Sequence, residues 1–166
     1  MATPTPLGGV PWQTAEFATV VPTGWTNRID DSAEVERFGG GGTVLYLVEQ
    51  APPITLQPAA AEAVADVNVV LLSTPVPDDQ LPLYLQSVTS SGATNLNTPM
   101  PYTLGGSGGE IITYDRDIQG VPGESRELMV NHRGETFDIV LNAAQATFPA
   151  QLAGLQAVLM AWRWTH

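Results

Sequence analysis

The residues best equipped for chemistry are few, and each can be weighed against the mechanism it would need. Ser107 lies in Gly105-Gly106-Ser107-Gly108-Gly109, a literal match to the G-x-S-x-G pattern of a nucleophile elbow. That elbow works by holding the serine on a strained turn between a strand and a helix. Here the serine is followed by Ile111-Ile112-Thr113-Tyr114, a strand pattern, so the segment reads as a flexible glycine loop. His132 is the only internal histidine. As a general base it would need the serine within hydrogen-bond reach and a third group to orient it. Its setting, His132-Arg133-Gly134-Glu135, reads as an exposed hairpin turn. A Ser107–His132 separation well beyond hydrogen-bond distance would end the hydrolase reading.

Two acidic patterns fare similarly. Asp115-Arg116-Asp117-Ile118-Gln119-Gly120 opens like an EF-hand loop, but the position that must supply a bidentate acid is Arg126 and both flanks are strand-like. A hairpin connection is expected instead. Asp30/Asp31 and Asp78/Asp79 are adjacent pairs, whereas glycosidase acids face each other across a cleft. The first pair reads as a solvated turn and the second as helix caps. One internal histidine without cysteine cannot build a typical zinc site. No catalytic, cofactor-binding or metal-ligating residue is assigned, and no cofactor is expected.

Composition narrows the field further. All six basic residues are arginine against seventeen acids, a net charge of −11. The lack of lysine removes Schiff-base, Walker-lysine and Ser–Lys chemistry. The lack of cysteine removes disulfides and thiolate chemistry. A strongly negative field repels nucleic-acid phosphates and anionic lipid heads, leaving a basic or apolar protein surface as the expected partner. No apolar run is long enough to span a bilayer. Met1–Pro11 has neither the charged nor the apolar region of a signal peptide. The chain is therefore expected in the cytoplasm, the alternative being an exported protein whose signal is not in this sequence.

Length and a 43% hydrophobic content suit one packed domain. Residues 1–14 read as a Pro/Gly-rich arm and 15–166 as the domain. Strands are expected over Glu16–Val21, Val35–Phe38, Thr43–Val48 and Asp66–Ser73. Residues 51–61 carry three prolines and read as a loop, followed by a helical turn at Glu62–Ala65. Leu81, Tyr84, Leu85 and Val88 mark one face of a helix that Gly92 stops. After a loop with a short strand near Tyr102 come three strands, Glu110–Arg116, Arg126–Asn131 and Thr136–Asn142. In the last, Phe137, Ile139 and Leu141 alternate with Asp138 and Asn142, implying a sheet with one wetter face. Phe148, Leu152, Leu155, Leu159 and Trp162 form the stripe of a closing helix, with Thr147 as its cap.

This order of elements resembles the PsbP-like superfamily, which includes DcrB-like and LpqN-like proteins and type VI secretion effector chaperones. The resemblance runs from a strand ending in Val21-Pro22-Thr23-Gly24-Trp25 through Asn68-Val69-Val70-Leu71 and Tyr84-Leu85 to Trp162-Arg163-Trp164, over roughly residues 15–164. It implies an α+β fold with an antiparallel sheet between helices, an α/β/α sandwich. It also implies binding rather than catalysis. An adaptor, chaperone or structural component of a larger bacterial or phage assembly is expected. The alternatives are an LpqN-like exported protein holding a small or lipidic ligand, and a serine hydrolase. Partner contacts are expected at Pro6, Leu7, Pro11 and Trp12 in the arm, at Pro52, Pro53 and Ile54 in the Ala51–Pro58 loop, and at Trp164, because exposed apolar and aromatic side chains favour interfaces.

Overall fold

A computed structural model describes residues 8–36, 42–50 and 65–166. The Pro6, Leu7, Pro52, Pro53 and Ile54 contacts, the glycine run at 39–41 and the 62–64 turn lie outside the described residues.

The architecture is α+β with two antiparallel sheets. The larger has seven strands: β3 (Trp25–Asn27), β4 (Thr43–Glu49), β5 (Asp66–Leu71), β6 (Met100–Leu104), β7 (Ser107–Ile118), β8 (Val121–His132) and β9 (Glu135–Ala144). Their spatial order is β3-β4-β5-β9-β8-β7-β6. The smaller sheet places β1 (Gly9–Gln13) and β10 (Arg163–Trp164) on either side of β2 (Phe17–Pro22). Helix α1 is a single turn, Ser32–Glu34; α2 is Leu81–Gln86, between 3-10 turns at Asp78–Gln80 and Ser87–Ser91; α3 is Phe148–Met160.

The hairpins β7–β8 and β8–β9 set the sheet. Gln119 and Gly120 have φ of 53° and 83°, and Arg133 and Gly134 have 50° and 80°. Two successive positive φ values fit the right-handed twist of flanking strands, and glycine takes the second without a Cβ penalty. Asp117 Oδ1 accepts from the Gly120 amide at 2.7 Å, closing the expected hairpin connection where an EF-hand loop would have required helices.

The main core lies on one face of the large sheet. Leu45, Leu47, Val67, Val69, Leu128, Val130, Phe137, Ile139 and Leu141 meet Phe17 of β2 and Leu155, Val158 and Leu159 of α3. Gly154 lets α3 approach closely: a Cβ there would come 2.4 Å from Trp25. On the opposite face, Leu81 and Leu85 of α2 pack on Ile112, Tyr114 and Met129.

Several expectations need correction. Val35 and Glu36 continue the α1 turn instead of forming a strand, with the Val35 amide bonded to the Asp31 carbonyl at 2.9 Å. Gly9–Gln13, read as arm, is a paired strand. Trp164, expected as an exposed contact, lies in β10 and is partly buried. Asp78 and Asp79 make no capping bond, nor does Thr147. Asp78 Oδ1 instead accepts from Asn131 Nδ2 at 2.6 Å, tying the turn before α2 to the β8–β9 hairpin. The Gly105–Gly109 segment is a tight turn running straight into β7 instead of a flexible loop.

Both long edge strands carry proline where it does least harm. The Thr14 amide bonds to the Phe17 carbonyl and the Thr23 amide to the Gly8 carbonyl. By the alternation of an antiparallel ladder, Pro11 then faces the free edge, where a missing N–H costs no sheet bond. Counting from the Leu104–Ser107 pair puts Pro101 in the same relation to β7. Edges blunted in this way resist addition of a foreign strand.

Candidate functional site

Three features bear on function. The first is the serine–histidine pair. Counting outward from the Gln119-Gly120 turn lands Ser107 opposite His132, and Ser107 Oγ lies 2.8 Å from His132 Nδ1. The hydrolase reading is therefore not ended by distance, and His132 is half-buried where an exposed turn was expected. His132 Nε2 lies 3.1 Å from the His166 carbonyl oxygen. A carbonyl can only accept, so Nε2 carries the hydrogen, and in the neutral ring Nδ1 accepts from the Ser107 hydroxyl. The imidazole also stacks on Trp164, with ring centroids 4.1 Å apart and planes 4° from parallel. Trp164 is held in turn by its Nε1–H donating to the Leu104 carbonyl at 3.1 Å.

This arrangement supplies a base, an orienting group and a hydroxyl, but the backbone around it is committed elsewhere. An acyl-transfer serine needs main-chain donors aimed at the developing oxyanion. The Ser107 amide instead faces Leu104 in the closing pair of the β6–β7 ladder. The serine sits in a regular strand and not at the apex of a strand-to-helix turn. The pair links the β6–β7 and β8–β9 hairpin ends to each other and to His166.

The second feature is a polar network on the face opposite the main core. Asn142 Nδ2 donates to Asp66 Oδ1 at 3.0 Å, and Asn142 Oδ1 accepts from Ser125 Oγ at 2.6 Å and from Arg116 at 3.4 Å. Burial pushes the Asp66 carboxyl up to about 6, against the smaller opposing pulls of Asn142 and Arg116. Further along, Tyr114 Oη donates to Glu127 Oε2 at 2.8 Å. Asp138 lies diagonally across from Glu127 on β9, two residues along from its partner Val140. Burial raises both carboxyls, that of Asp138 furthest, and also raises the Tyr114 hydroxyl. This is the strand face expected to be wetter, and Asp66, Asp138 and Asn142 are half-buried on it while Glu127 is buried. Among the described residues, no group of three or more acidic or histidine side chains is placed to hold a metal ion.

The third feature is the surface. Val10 is 69% exposed beside exposed Pro11, whereas Trp12, on the same strand, is partly buried and packs on the main core. A groove of about 480 Å³ runs between Asp78, Leu81, Glu110, Asn131, Arg133 and the glycines of β7. Sequence reasoning missed this groove because its floor is glycine backbone, which carries no side-chain signal. Of the expected contacts that can be placed, Pro11 is open, Trp12 half-open, and Trp164 partly covered by the stack on His132. The structure brings Trp164 to Ser107 and His132, and leaves Pro11 on a different edge.

No protein-family model matches the chain. No curated protein matches it either. Solved structures do. LpqN, involved in cell envelope biogenesis of Mycobacterium tuberculosis, aligns with a TM-score of 0.63 at 15% identity, over 98% of this chain and 90% of that one. The Ran-binding protein Mog1p of Saccharomyces cerevisiae aligns at 0.59 and 12% identity, over 95% of each chain. Cyanobacterial PsbP (CyanoP) of Synechocystis sp. PCC 6803 aligns at 0.57 and 9% identity, over 96% of this chain and 92% of that one. At such identities the likeness is one of fold, and the fold shared across nearly the whole chain is the PsbP-like one.

Proposed function

We propose that the chain is a non-catalytic protein-binding module, working as an adaptor, chaperone or structural component of a larger bacterial or phage assembly such as a secretion or injection machine. The observation that carries this reading is strand β1. It holds an exposed apolar pair, Val10 and Pro11, in fixed register on β2, on a protein of net charge −11. An apolar contact surrounded by negative field suits a partner with an apolar anchor and a basic rim. In this reading residues 15–166 are the binding domain and residues 1–14 its contact arm. Pro6, Leu7, Pro52, Pro53 and Ile54 remain proposed contacts alongside Pro11, Trp12 and Trp164. The proposed setting is the cytoplasm, with export as the alternative. No helix among the described residues is long and apolar enough to cross a membrane.

Deleting the whole arm would remove β1 and the packing of Trp12, so a point test is cleaner. The double substitution Val10→Asp with Pro11→Ser is expected to leave the thermal midpoint within about 2 °C, since exposed positions contribute little to stability. It should lower recovery of the native partner in quantitative pull-downs at least roughly tenfold, the scale of a lost interface anchor. Unchanged recovery at unchanged stability would remove β1 from the interface.

The groove beside the sheet supports a second reading, an exported LpqN-like protein holding a small molecule. Its walls of Asp78, Glu110, Asn131 and Arg133 favour a polar ligand over a lipid chain.

A further inference from the structure

The groove between α2 and the β8–β9 hairpin has a floor that packing does not explain. Gly108, Gly109 and Gly134 line it. Gly134 is needed at φ 80° in the hairpin turn, and at Gly109 a Cβ would come 2.2 Å from the Met129 carbonyl oxygen. Gly108 answers to neither demand. Its φ lies outside the left-handed region, and a Cβ there would meet no atom within 4 Å. Glycine inside a strand weakens it, and where nothing of the protein crowds the position it marks a place where a ligand comes close. Gly108 shares a face with Glu110, two residues along β7, whose partner Met129 belongs to the cluster under α2. Ser107 and His132 point to the other face, so the groove is separate from their contact.

The charges around this floor are unmatched. Arg133 and Glu110 line the groove with Asp78, and neither the guanidinium nor the Glu110 carboxylate makes a hydrogen bond or ion pair with a described residue. On a chain of seventeen acids and six arginines, a guanidinium left without a carboxylate is the less expected case. The backbone holds the two apart. Glu110 is set in β7 by its pairing with Pro101 and Met129, and Arg133 opens a two-residue turn at φ 50°. A neighbouring hollow of about 300 Å³, walled by Pro75, Val76 and Pro77, shares Asp78, Asn131 and Gly134 with the groove.

We propose that the groove binds a small zwitterion of the amino-acid or dipeptide class, its carboxylate on Arg133, its ammonium on Glu110 and Asp78, its backbone over Gly108 and an apolar side chain against residues 75–77. This rests on the second reading above, a small molecule held in the groove, and adds the chemistry of that molecule. The volume of about 480 Å³ falls in the usual range for small-molecule sites. A ligand with one charge leaves the opposite wall unmatched, whereas a zwitterion matches both. A net charge of −11 repels a simple anion but not a ligand whose own charges cancel.

The test is a nitrogen-15 NMR titration of the full chain at pH 7, following the Gly108, Gly109 and Gly134 amides. The probes are L-leucine, L-leucyl-L-leucine, 4-methylpentanoate, which keeps only the carboxylate, and isoamylamine, which keeps only the ammonium. At least one zwitterion is expected to saturate these shifts with a midpoint below roughly 10 mM, and the tighter of the two names the source. Each singly charged probe should bind at least roughly tenfold more weakly, the effect of one lost charge-assisted contact. Arg133→Gln should weaken the zwitterion by a similar factor and leave isoamylamine unchanged. Gly108→Val fills the floor: it should abolish binding while raising the thermal midpoint by roughly 1–4 °C, since a strand glycine is relieved. Singly charged probes as tight as the zwitterions would keep the groove reading and end the zwitterion claim. No saturable shift with any probe would end both. Wild-type binding by Gly108→Val would overturn the proposed site.

Discussion

Replacing Asp66 with asparagine is expected to stabilise the protein at neutral pH by about 3 kcal/mol while changing little at pH 4. The Asp66 carboxyl stands at about 6 in the fold against 3.8 when free, and each unit of difference corresponds to about 1.4 kcal/mol. The sign follows from proton binding. Between roughly pH 4 and 6 the folded chain holds a proton on Asp66 that the unfolded chain has lost, so stability falls as pH rises through that window. Above it the cost of the buried charge is complete. Asparagine carries no charge to bury and keeps an oxygen able to accept from Asn142 Nδ2. For a chain of this size the gain is roughly 6–10 °C in midpoint at pH 7. Thermal melts at pH 4 and pH 7 decide it: equal shifts at both values would show that Asp66 is not held neutral by burial.

Trp162→Ala is expected to cost about 3–5 kcal/mol, the usual range for emptying a large aromatic site in a core. Trp162 stacks on Phe17 with centroids 4.0 Å apart and lies edge-on to Trp164 at 5.3 Å. Phe17 then meets Phe137 edge to face at 6.2 Å. The indole links α3, β2 and the end of β9, so its loss loosens both sheets at once. Trp162→Phe should cost far less, about 1.5 kcal/mol or under. Its Nε1 is buried without a hydrogen-bond partner, so the smaller ring also removes an unsatisfied donor. Denaturant titrations of the two variants should differ by several kcal/mol. Similar losses would mean that the bulk a phenylalanine lacks, and not the ring stack on Phe17, carries the stability.

Legibility in the sequence tracked local physics. The alternation of Phe137, Ile139 and Leu141 placed the core face correctly because a strand's period is two wherever one face is apolar. Arg133-Gly134 announced a hairpin, and the Phe148–Trp162 stripe announced the closing helix and its buried end. Asp138 and Asn142 marked the wetter face as expected, though nothing local says that Asp138 keeps one carboxyl oxygen sealed there. Asp78 and Asp79 had the composition of caps, yet Asn131, distant in sequence, captured Asp78. The Ser107–His132 contact was within reach: fixing register from Gln119-Gly120 puts the two side by side. Treating Gly105–Gly109 as a loose loop discarded that arithmetic. The stack on Trp164 had no such signal, since it depends on β10 returning to β2 after α3.

The proposed function requires that side chains able to act as a nucleophile and base serve here as structure, with function residing in surface contact. The most direct measurement is intact-mass analysis of wild type and His132→Gln after exposure to a serine-directed fluorophosphonate in excess. No adduct at Ser107 in either protein is the predicted result. Stoichiometric labelling of Ser107 in the wild type, abolished by His132→Gln in a folded variant, would contradict it and make the pair a catalytic one.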